Sequence, residues 1–287
     1  MDFYSKNNGP YTKNNLAVGT VKTYKTGLSR LQEYNDDRKL RKFTFNDCNP
    51  EFYNDYISYL TEKNYSKNYI GTIIQKLITI LGYAYDEGLH NNVEFKKSYL
   101  SKFTEAIDHI YLYVEELNRI KNLSLYDTLL EKVRDIFLIA CNTGLKISDM
   151  MSLLKKTNPL IVEEGVKYIH IKQIKTSNTV IIPLNSSVIE ILNKHEGRLP
   201  KYLHQAIINE NIKVICKRAR ITQPYILRRT EGGKELEHKL PKYKFISSHT
   251  ARRSFCTNAY KSGMPIQDVM AVSGHKSERV FFNYVKV

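Results

Sequence analysis

Residues 248–256 read SHTARRSFC and place His249 three residues before Arg252, with Arg253 directly behind it. Ser248 is a favourable helix N-cap, so a helix is expected to follow it. Residues three and four apart are neighbours on a helix, so the histidine and both arginines share one side. An Arg guanidinium can hold two phosphate oxygens, and a nearby His can add a third hydrogen bond. The pattern indicates an anion-binding site, with a solvated basic face as the alternative.

The charge around this stretch points to a polyanionic partner. The chain of 287 residues has a formal net charge of +15, and residues 194–253 hold 15 Lys and Arg against five Asp and Glu. Such a concentration of charge repels itself, and a phosphate backbone would relieve the repulsion. The basic stretch has no long amphipathic helical pattern, which disfavours a membrane-surface role. Nucleic acid is therefore the expected partner.

Several classes of protein are disfavoured by what the sequence does not contain. No run of about 18 apolar residues is present, and the first 15 residues have no apolar core typical of a secretory signal. The four cysteines at positions 48, 141, 216 and 256 include no CxxC pair, which argues against a disulfide framework and a zinc site. We expect reduced thiols, a cytoplasmic protein, no membrane span, no metal and no cofactor.

The hydrophobic pattern divides the chain into two folded parts. Residues 1–15 are polar and predict a tail or linker, and residues 16–95 repeat apolar side chains at helical spacing, typical of a helical bundle. Residues 96–106 predict a charged linker, and residues 107–287 a second domain. Within it, residues 166–171 and 180–184 predict an antiparallel hairpin, and residues 186–287 predict helices apart from a basic loop around 224–245. The fold class is mainly α with a small antiparallel β-sheet.

Three further segments carry residues suited to phosphate chemistry. Residues 141–150 read CNTGLKISDM, residues 173–176 read QIKT at the predicted hairpin turn, and residues 273–277 read SGHKS between two predicted helices. Each is weak alone, because a His after a Gly is usually a capping residue and a Tyr beside Val and Phe is usually core. The last segment also resembles a DNA-reading helix-turn-helix, which keeps a DNA-binding regulator open as an alternative.

Together the four segments resemble the tyrosine recombinase (phage integrase) family. That family carries a TGLR segment about 100 residues before an HxxR motif, a hairpin lysine between them, and then Gly-His and a tyrosine. The match here runs over residues 141–284, and the helical first part is similar to the core-binding domain of that family. The resemblance implies a site-specific recombinase of a phage or mobile element, with a helical core-binding domain followed by an α+β catalytic domain.

The resemblance assigns site residues by position. It implies that Tyr284 is the nucleophile and that its 3′-phosphotyrosyl product is religated without ATP. Stabilising cations and proton donors must assist, because an unmodified tyrosine is a poor nucleophile. The other implied catalytic residues are His249, Arg252, His275, Lys175, Lys146 and Asp149. Arg252, His275 and Lys146 are expected to act as cations, and Lys175 as the general acid. His249 is expected to share the acid–base role, and Asp149 to orient the cations.

The sequence departs from the family pattern at two positions. Lys146 stands where the family has its first arginine, and Ser273 stands where it usually has leucine. A lysine keeps the charge but loses the bidentate fork, so chemistry slower by roughly 10- to 1,000-fold is expected. Three explanations stay open: a natural, tolerated lysine, an engineered change that traps a complex, or a DNA binder with weakened catalysis.

The partner and the end of the chain follow from the same resemblance. Double-stranded DNA, a homo-tetramer on DNA and a monomer in solution are expected. The chain stops three residues after Tyr284, where family members usually continue into a tail that docks on a neighbour, so a trimmed chain or a small integrase with a short tail is expected. A type IB topoisomerase is a further alternative, disfavoured by the helical first domain. The predicted DNA contacts, for which a solvated basic face is the alternative, are Arg253, Lys22, Lys25, Lys67 and Lys76.

Overall fold

A computed structural model describes residues 16–39, 43–106, 109–156, 160–174 and 178–286. The predicted tail at residues 1–15 lies outside these ranges. The chain divides into two compact units: Met1–Ile107 with Leu227–His238, and Asp108–Ile226 with Lys239–Val287. The predicted boundaries placed residues 227–238 in the catalytic domain, whereas here they group with the first unit. The boundaries themselves stay a prediction.

The first unit is built on three helices whose starts are fixed by local sequence. The Asn49 side chain accepts a hydrogen bond from the Phe52 backbone nitrogen at 2.9 Å, directly before Pro50 at a favourable first position. Ser66 caps the third helix in the same way. The apolar faces meet in a core rich in tyrosine and isoleucine. The helices are α1 (Val18–Asp37), α2 (Pro50–Glu62) and α3 (Lys67–Asp86).

The segment after α3 packs back onto that helix. Asn68 pairs with the backbone of Glu105 through two hydrogen bonds of 3.0 Å. Gly71 lies so close to the chain that a Cβ atom there would meet the Phe103 carbonyl oxygen at 2.1 Å. A glycine is therefore required where the segment crosses α3. The stretch predicted as a linker at residues 96–106 is in contact with the first unit.

The second unit surrounds a long buried helix. It contains α4 (Val114–Lys121), α5 (Thr128–Thr143), α6 (Ile147–Leu153), α7 (Ser186–Lys194), α8 (Gln205–Arg218), α9 (Ser248–Lys261), α10 (Ile266–Ser273) and α11 (Glu278–Phe282). Asp127 caps α5, and its side chain accepts from the backbone nitrogens of Leu129 and Leu130. Among the described residues no single helix is long and apolar enough to span a membrane; the bent pair α5–α6 passes on length and composition alone.

The predicted hairpin is part of a three-stranded antiparallel sheet. The strands β1 (Leu160–Glu163), β2 (Val166–Lys172) and β3 (Thr179–Pro183) pair in chain order. Ile169 and Ile182 face each other across β2 and β3, and both side chains are fully buried. Alternate residues face the core, so this register is fixed by hydrophobic burial. The fold class of mainly α structure with a small antiparallel sheet is confirmed.

The prediction of a loop around residues 224–245 is wrong, because most of this segment forms a β-hairpin. The strands β4 (Pro224–Glu231) and β5 (Lys234–Pro241) pair, and a 3₁₀ turn at Lys242–Phe245 follows. Gly232 and Gly233 form the turn with φ values of 55° and 74°, the conformation that a two-residue hairpin requires. The charged composition hid the strands, although Gly-Gly was a usable signal.

The last three helices form a small core of their own. Cys256, Val269 and Phe281 are fully buried there, and Tyr284 packs at its edge. Phe281 is the buried residue of α11, a helix of only five residues on which Val280 and Phe282 are exposed. All four cysteines of the chain are buried.

Candidate active site

Helix α9 carries the SHTARRSFC stretch into the centre of the second unit. The N-cap is Ser247, one residue before the predicted Ser248, because the Ser247 backbone nitrogen donates to Thr250 Oγ1 at 3.0 Å. The Ser248 nitrogen instead donates to the Asn209 side chain at 2.8 Å. Cys256, one turn after Arg252 on α9, lies in the small core.

Arg252 is more enclosed than Lys146 and His275, the other predicted active-site cations that the structure describes. Its side chain is 1 % exposed, and one guanidinium nitrogen donates to the carbonyls of Gly144 at 2.7 Å and Ser273 at 2.6 Å. The other terminal nitrogen lies 2.9 Å from His275 Nε2. Burial lowers the pKa of Arg252, but a guanidinium stays protonated in proteins. The site therefore holds a fixed, permanent positive charge.

His275 follows α10 and lies against that guanidinium. Gly274 ends the helix with a left-handed φ of 71°, which turns the chain so that the imidazole faces Arg252. Burial, then the charges of Arg252 and Lys146, lower the pKa of His275 to about 3. The ring is neutral at pH 7, which differs from the cation expected from the sequence. A third charge beside two cations would be strongly repelled.

Tyr284 lies directly in this cluster. Its ring centroid is 4.8 Å from that of His275 and 5.4 Å from that of His249, and the Arg252 guanidinium carbon is 5.3 Å from the ring centre. The Thr257 hydroxyl donates to the Tyr284 carbonyl at 3.1 Å and accepts from the Lys286 nitrogen, which holds the segment. The predicted nucleophile, both histidines and the arginine are thus brought together.

The turn at residues 143–146, which read TGLK, lies on the other side of the Arg252 side chain. Gly144 adopts a left-handed φ of 63°, and a Cβ atom there would meet the Phe255 ring at 2.4 Å. Lys146 is the N-cap of α6, and its charge acts on His275. Asp149 is fully buried, and one of its carboxylate oxygens accepts from the Ile174 backbone nitrogen at 3.0 Å. Asp149 therefore anchors the base of the β2–β3 turn.

Lys175, the predicted general acid, lies outside the described residues. The residues before it are tied to the site: the buried Gln173 donates from its side chain to the Ser273 carbonyl at 3.1 Å, and its backbone nitrogen donates to Asn178 at 2.8 Å. Gln173 and Ser273 are contacts that sequence reasoning did not assign. Two sequence features could have pointed to these residues: Gln173 lies in the QIKT segment, and Ser273 replaces the leucine that the family usually has.

The predicted DNA contacts fall into two groups. Lys22, Lys25 and Lys67 are exposed, as a backbone contact requires. Lys76 is half-buried with its ammonium 4.4 Å from the Tyr24 ring centre, and burial, then Lys102, lower its pKa. The Lys76 side chain is thus engaged in packing within the first unit.

Arg253 is half-buried, and its Nε atom has no hydrogen-bond partner within the described chain. Burial lowers the pKa of this guanidinium, and the proximity of Tyr284 and Tyr225 acts in the opposite direction. Arg253 therefore lies beside the predicted nucleophile with donor capacity to spare.

Part of the basic segment at residues 194–253 is neutralised inside the protein. The buried Lys242 ammonium lies 2.6 Å from the Glu116 carboxylate, and the Lys194 ammonium lies 3.0 Å from the buried Asp135. Arg228 pairs with Glu237 on the β4–β5 hairpin. Fewer positive side chains are thus free to meet a polyanion than the sequence count indicates. The described residues include no group of three or more His, Cys, Asp or Glu that could hold a metal ion.

The Phage integrase family model matches residues 111–287, and the Phage integrase SAM-like domain model matches residues 1–103. This chain belongs to the phage integrase family. The predicted tyrosine recombinase is confirmed as a family and as an enzyme class. The helix-turn-helix regulator is not favoured, because the two family models that match are both those of integrases.

Solved structures of other integrases share the fold. XerH recombinase bound to its difH substrate in a pre-cleavage complex has a TM-score of 0.63 at 19 % identity, covering 93 % of this chain and 76 % of its own. Tn1549 transposon integrase with circular intermediate DNA has a TM-score of 0.60 at 17 % identity, covering 100 % and 94 %. The lambda integrase tetramer on a Holliday junction has a TM-score of 0.68 at 16 % identity, covering 99 % and 76 %. No curated protein sequence matches this chain significantly.

Proposed function

We propose that this integrase binds double-stranded DNA and exchanges strands at a specific site, with Tyr284 as the attacking nucleophile. The observation that carries the proposal is the position of the Tyr284 ring, 5.3 Å from the Arg252 guanidinium and beside both His249 and His275. A phenol, a fixed cation and two imidazoles in one cluster suit phosphoryl transfer without a metal.

In the proposed cleavage step, one bond to the scissile phosphorus forms as another breaks. The Tyr284 oxygen forms a bond to the scissile phosphorus and loses its proton, and the bond to the 5′-oxygen breaks. His249 is the acceptor for the phenol proton, because its ring lies against Tyr284. Lys175 gives a proton to the leaving 5′-oxygen, a role that rests on the family resemblance. Religation by another strand's 5′-hydroxyl reverses these transfers.

The cations divide the charge of the transition state. Arg252 is held by two carbonyls and keeps one terminal nitrogen on the His275 side, so it is prepositioned for the non-bridging oxygens. Lys146 adds a point charge from the TGLK turn, and Arg253 contacts a neighbouring oxygen. Asp149 holds the Lys175-bearing turn in place through Ile174.

DNA is the proposed macromolecular partner, and four copies assemble on it. XerH and Tn1549 integrase were solved with DNA, and lambda integrase was solved as a tetramer on a Holliday junction. We propose the same stoichiometry for this chain, with a monomer in solution. Light scattering on a size-exclusion column, with and without DNA carrying two sites, tests it; a tetramer without DNA would reject the monomer.

Covalent trapping tests the reaction. The protein is mixed with a nicked duplex spanning the attachment site of its own element, and an SDS-resistant complex is sought. We expect the complex in the wild-type protein and none with Tyr284→Phe. Tyr260→Phe is the matched control, because Tyr260 lies in the same small core without contacting the cations. A complex that survives Tyr284→Phe, or tight DNA binding with no complex in any variant, would reject the proposal.

A further inference from the structure

Ser273, the last residue of α10, contacts several groups of the site at once. It has no exposed surface. Its carbonyl accepts from Arg252 at 2.6 Å and from the Gln173 side chain at 3.1 Å. Its hydroxyl oxygen lies 2.7 Å from His275 Nδ1 and 2.6 Å from the Val269 carbonyl oxygen. No role was assigned to this residue from the sequence beyond its departure from leucine.

The position of the hydroxyl proton follows from these two distances. A serine hydroxyl has one proton, and a carbonyl oxygen can only accept. Two oxygens at 2.6 Å need a proton between them, so the Ser273 hydroxyl donates to Val269. A hydroxyl lone pair then faces His275 Nδ1, and this nitrogen must carry a proton to make the 2.7 Å contact.

The second ring nitrogen is determined in turn. A neutral imidazole has one N–H, and the hydrogen bond at one nitrogen sets the state of the other. The low pKa of His275 keeps the ring neutral. Its Nε2 is therefore unprotonated. The Arg252 terminal nitrogen lies 2.9 Å from Nε2 and 3.3 Å from Nδ1, so the guanidinium packs against the face of the ring.

We propose that Ser273 is a positioning residue for strand cleavage, which fixes His275 as the Nδ1–H tautomer and holds Arg252 against that ring. The role rests on the proposed function. The neutral ring then packs against a guanidinium that the Gly144 and Ser273 carbonyls hold, and Arg252 is the charged group that meets the phosphate. A leucine, usual here in the family, has no hydroxyl, so this arrangement belongs to the present chain.

The tautomer is measured on the free protein. Nitrogen-15 labelling of histidine and long-range proton–nitrogen correlation report which ring nitrogen carries the proton, and the loss of one set of signals in His275→Gln assigns the ring. We expect a protonated Nδ1 in the wild-type protein and a shift toward protonated Nε2 in Ser273→Ala. A protonated Nε2 in the wild-type protein, or no change in Ser273→Ala, would overturn the proposal.

Ser254→Ala is the matched control. Ser254 is fully buried on α9, and its hydroxyl also donates to the carbonyl four residues earlier, Thr250, at 2.9 Å, but it has no hydrogen bond to His275. We expect this variant to keep the wild-type tautomer. A ring that responds equally to both variants would show a general loss of structure and would overturn the specific role of Ser273.

Cleavage supplies the second measurement. We expect Ser273→Ala to lower the single-turnover rate of adduct formation about 10- to 100-fold, with DNA affinity unchanged. Ser273→Thr, which keeps the hydroxyl, is expected to restore most of the rate. A changed tautomer with an unchanged rate would overturn the positioning role. A wild-type protein that forms no adduct would reject the proposed function instead, and the two failures are distinguishable because the ring signals are recorded without DNA.

Discussion

The tyrosines of the first unit and Tyr284 of the second use the same side chain in opposite surroundings. In the first unit Tyr34 and Tyr59 are buried, and their hydroxyls donate to Asp55 at 2.7 Å and Asp37 at 2.8 Å. Burial, then the carboxylate partner, raise the pKa of both. These phenols are kept protonated and serve as hydrogen-bond donors.

Tyr284 has basic neighbours instead. Arg252 lies under its ring, Arg253 is close enough to act on it electrostatically, and His249 packs against its edge. Carboxylates beside a phenol hold its proton, whereas cations stabilise an anion at the same place. The comparison teaches that burial and carboxylate neighbours together mark a structural tyrosine, whereas cationic neighbours mark a candidate nucleophile.

The largest expected effect comes from removing the cation beside Tyr284. Arg252→Gln should lower the rate of adduct formation by about 10²- to 10³-fold, because a prepositioned donor to the developing charge is lost. Single-turnover trapping measures it, with thermal unfolding recorded alongside because the side chain is buried. Arg253→Gln is the comparison and should lose far less. Equal losses in the two variants would contradict the central place given to Arg252.

The packing of the first unit supplies the next effect. Gly71→Ala should lower the free energy of unfolding by about 1–3 kcal/mol or more, because the new methyl group would overlap the Phe103 carbonyl. Gly19→Ala is the control, since a Cβ atom there meets nothing within 4 Å; it should be neutral or stabilising by up to about 1 kcal/mol. Urea unfolding measures both. Similar values for the two variants would show that the close approach at Gly71 does not exist.

A smaller change is expected when the cation set beside Tyr284 is completed. Lys146→Arg should raise the rate of adduct formation roughly tenfold, because an arginine can hold two phosphate oxygens in a plane. The trapping assay with pre-bound DNA separates this gain from a gain in affinity. A lower rate would mean that the surrounding residues are built around lysine, and that the lysine is native to the site.

The smallest effects lie among the structural tyrosines. Tyr34→Phe should cost about 1–2 kcal/mol of stability, because its hydrogen bond to a carboxylate is lost. Tyr56→Phe should change stability by less than about 0.5 kcal/mol, since its buried hydroxyl has no partner among the described residues. Urea unfolding of the two single variants makes the comparison. A larger loss at Tyr56 would reveal a partner, such as a bound water.

Much of the fold followed from local chemistry. The helical spacing of residues 16–95 and the alternating pattern of residues 166–171 predicted elements that the structure contains. The β4–β5 hairpin escaped because its strands are largely charged and give no apolar alternation. The two adjacent glycines, Gly232 and Gly233, indicate a hairpin turn, but the charged composition of the segment led to the prediction of a loop.

Only those residues of the site that belong to the family motifs were predicted from the sequence. The resemblance named Tyr284, Arg252, His249 and His275, and the structure brings these side chains together. It could not give the charge state of His275, which depends on burial and on two cations from distant segments. Nor could it find the contact of Gln173 with Ser273, since these residues are 100 positions apart and meet only in the folded chain.

The burial of all four cysteines has a practical consequence for following this protein on DNA. Burial raises the pKa of Cys48 and Cys216 to about 12 and that of Cys256 to about 11, and raises that of Cys141 well above its usual range. Very little thiolate is present at pH 7, and thiolate is the form that reacts with maleimides. A cysteine introduced at an exposed position outside the predicted DNA contacts, such as Glu87, can therefore accept a single fluorophore while every native thiol is kept.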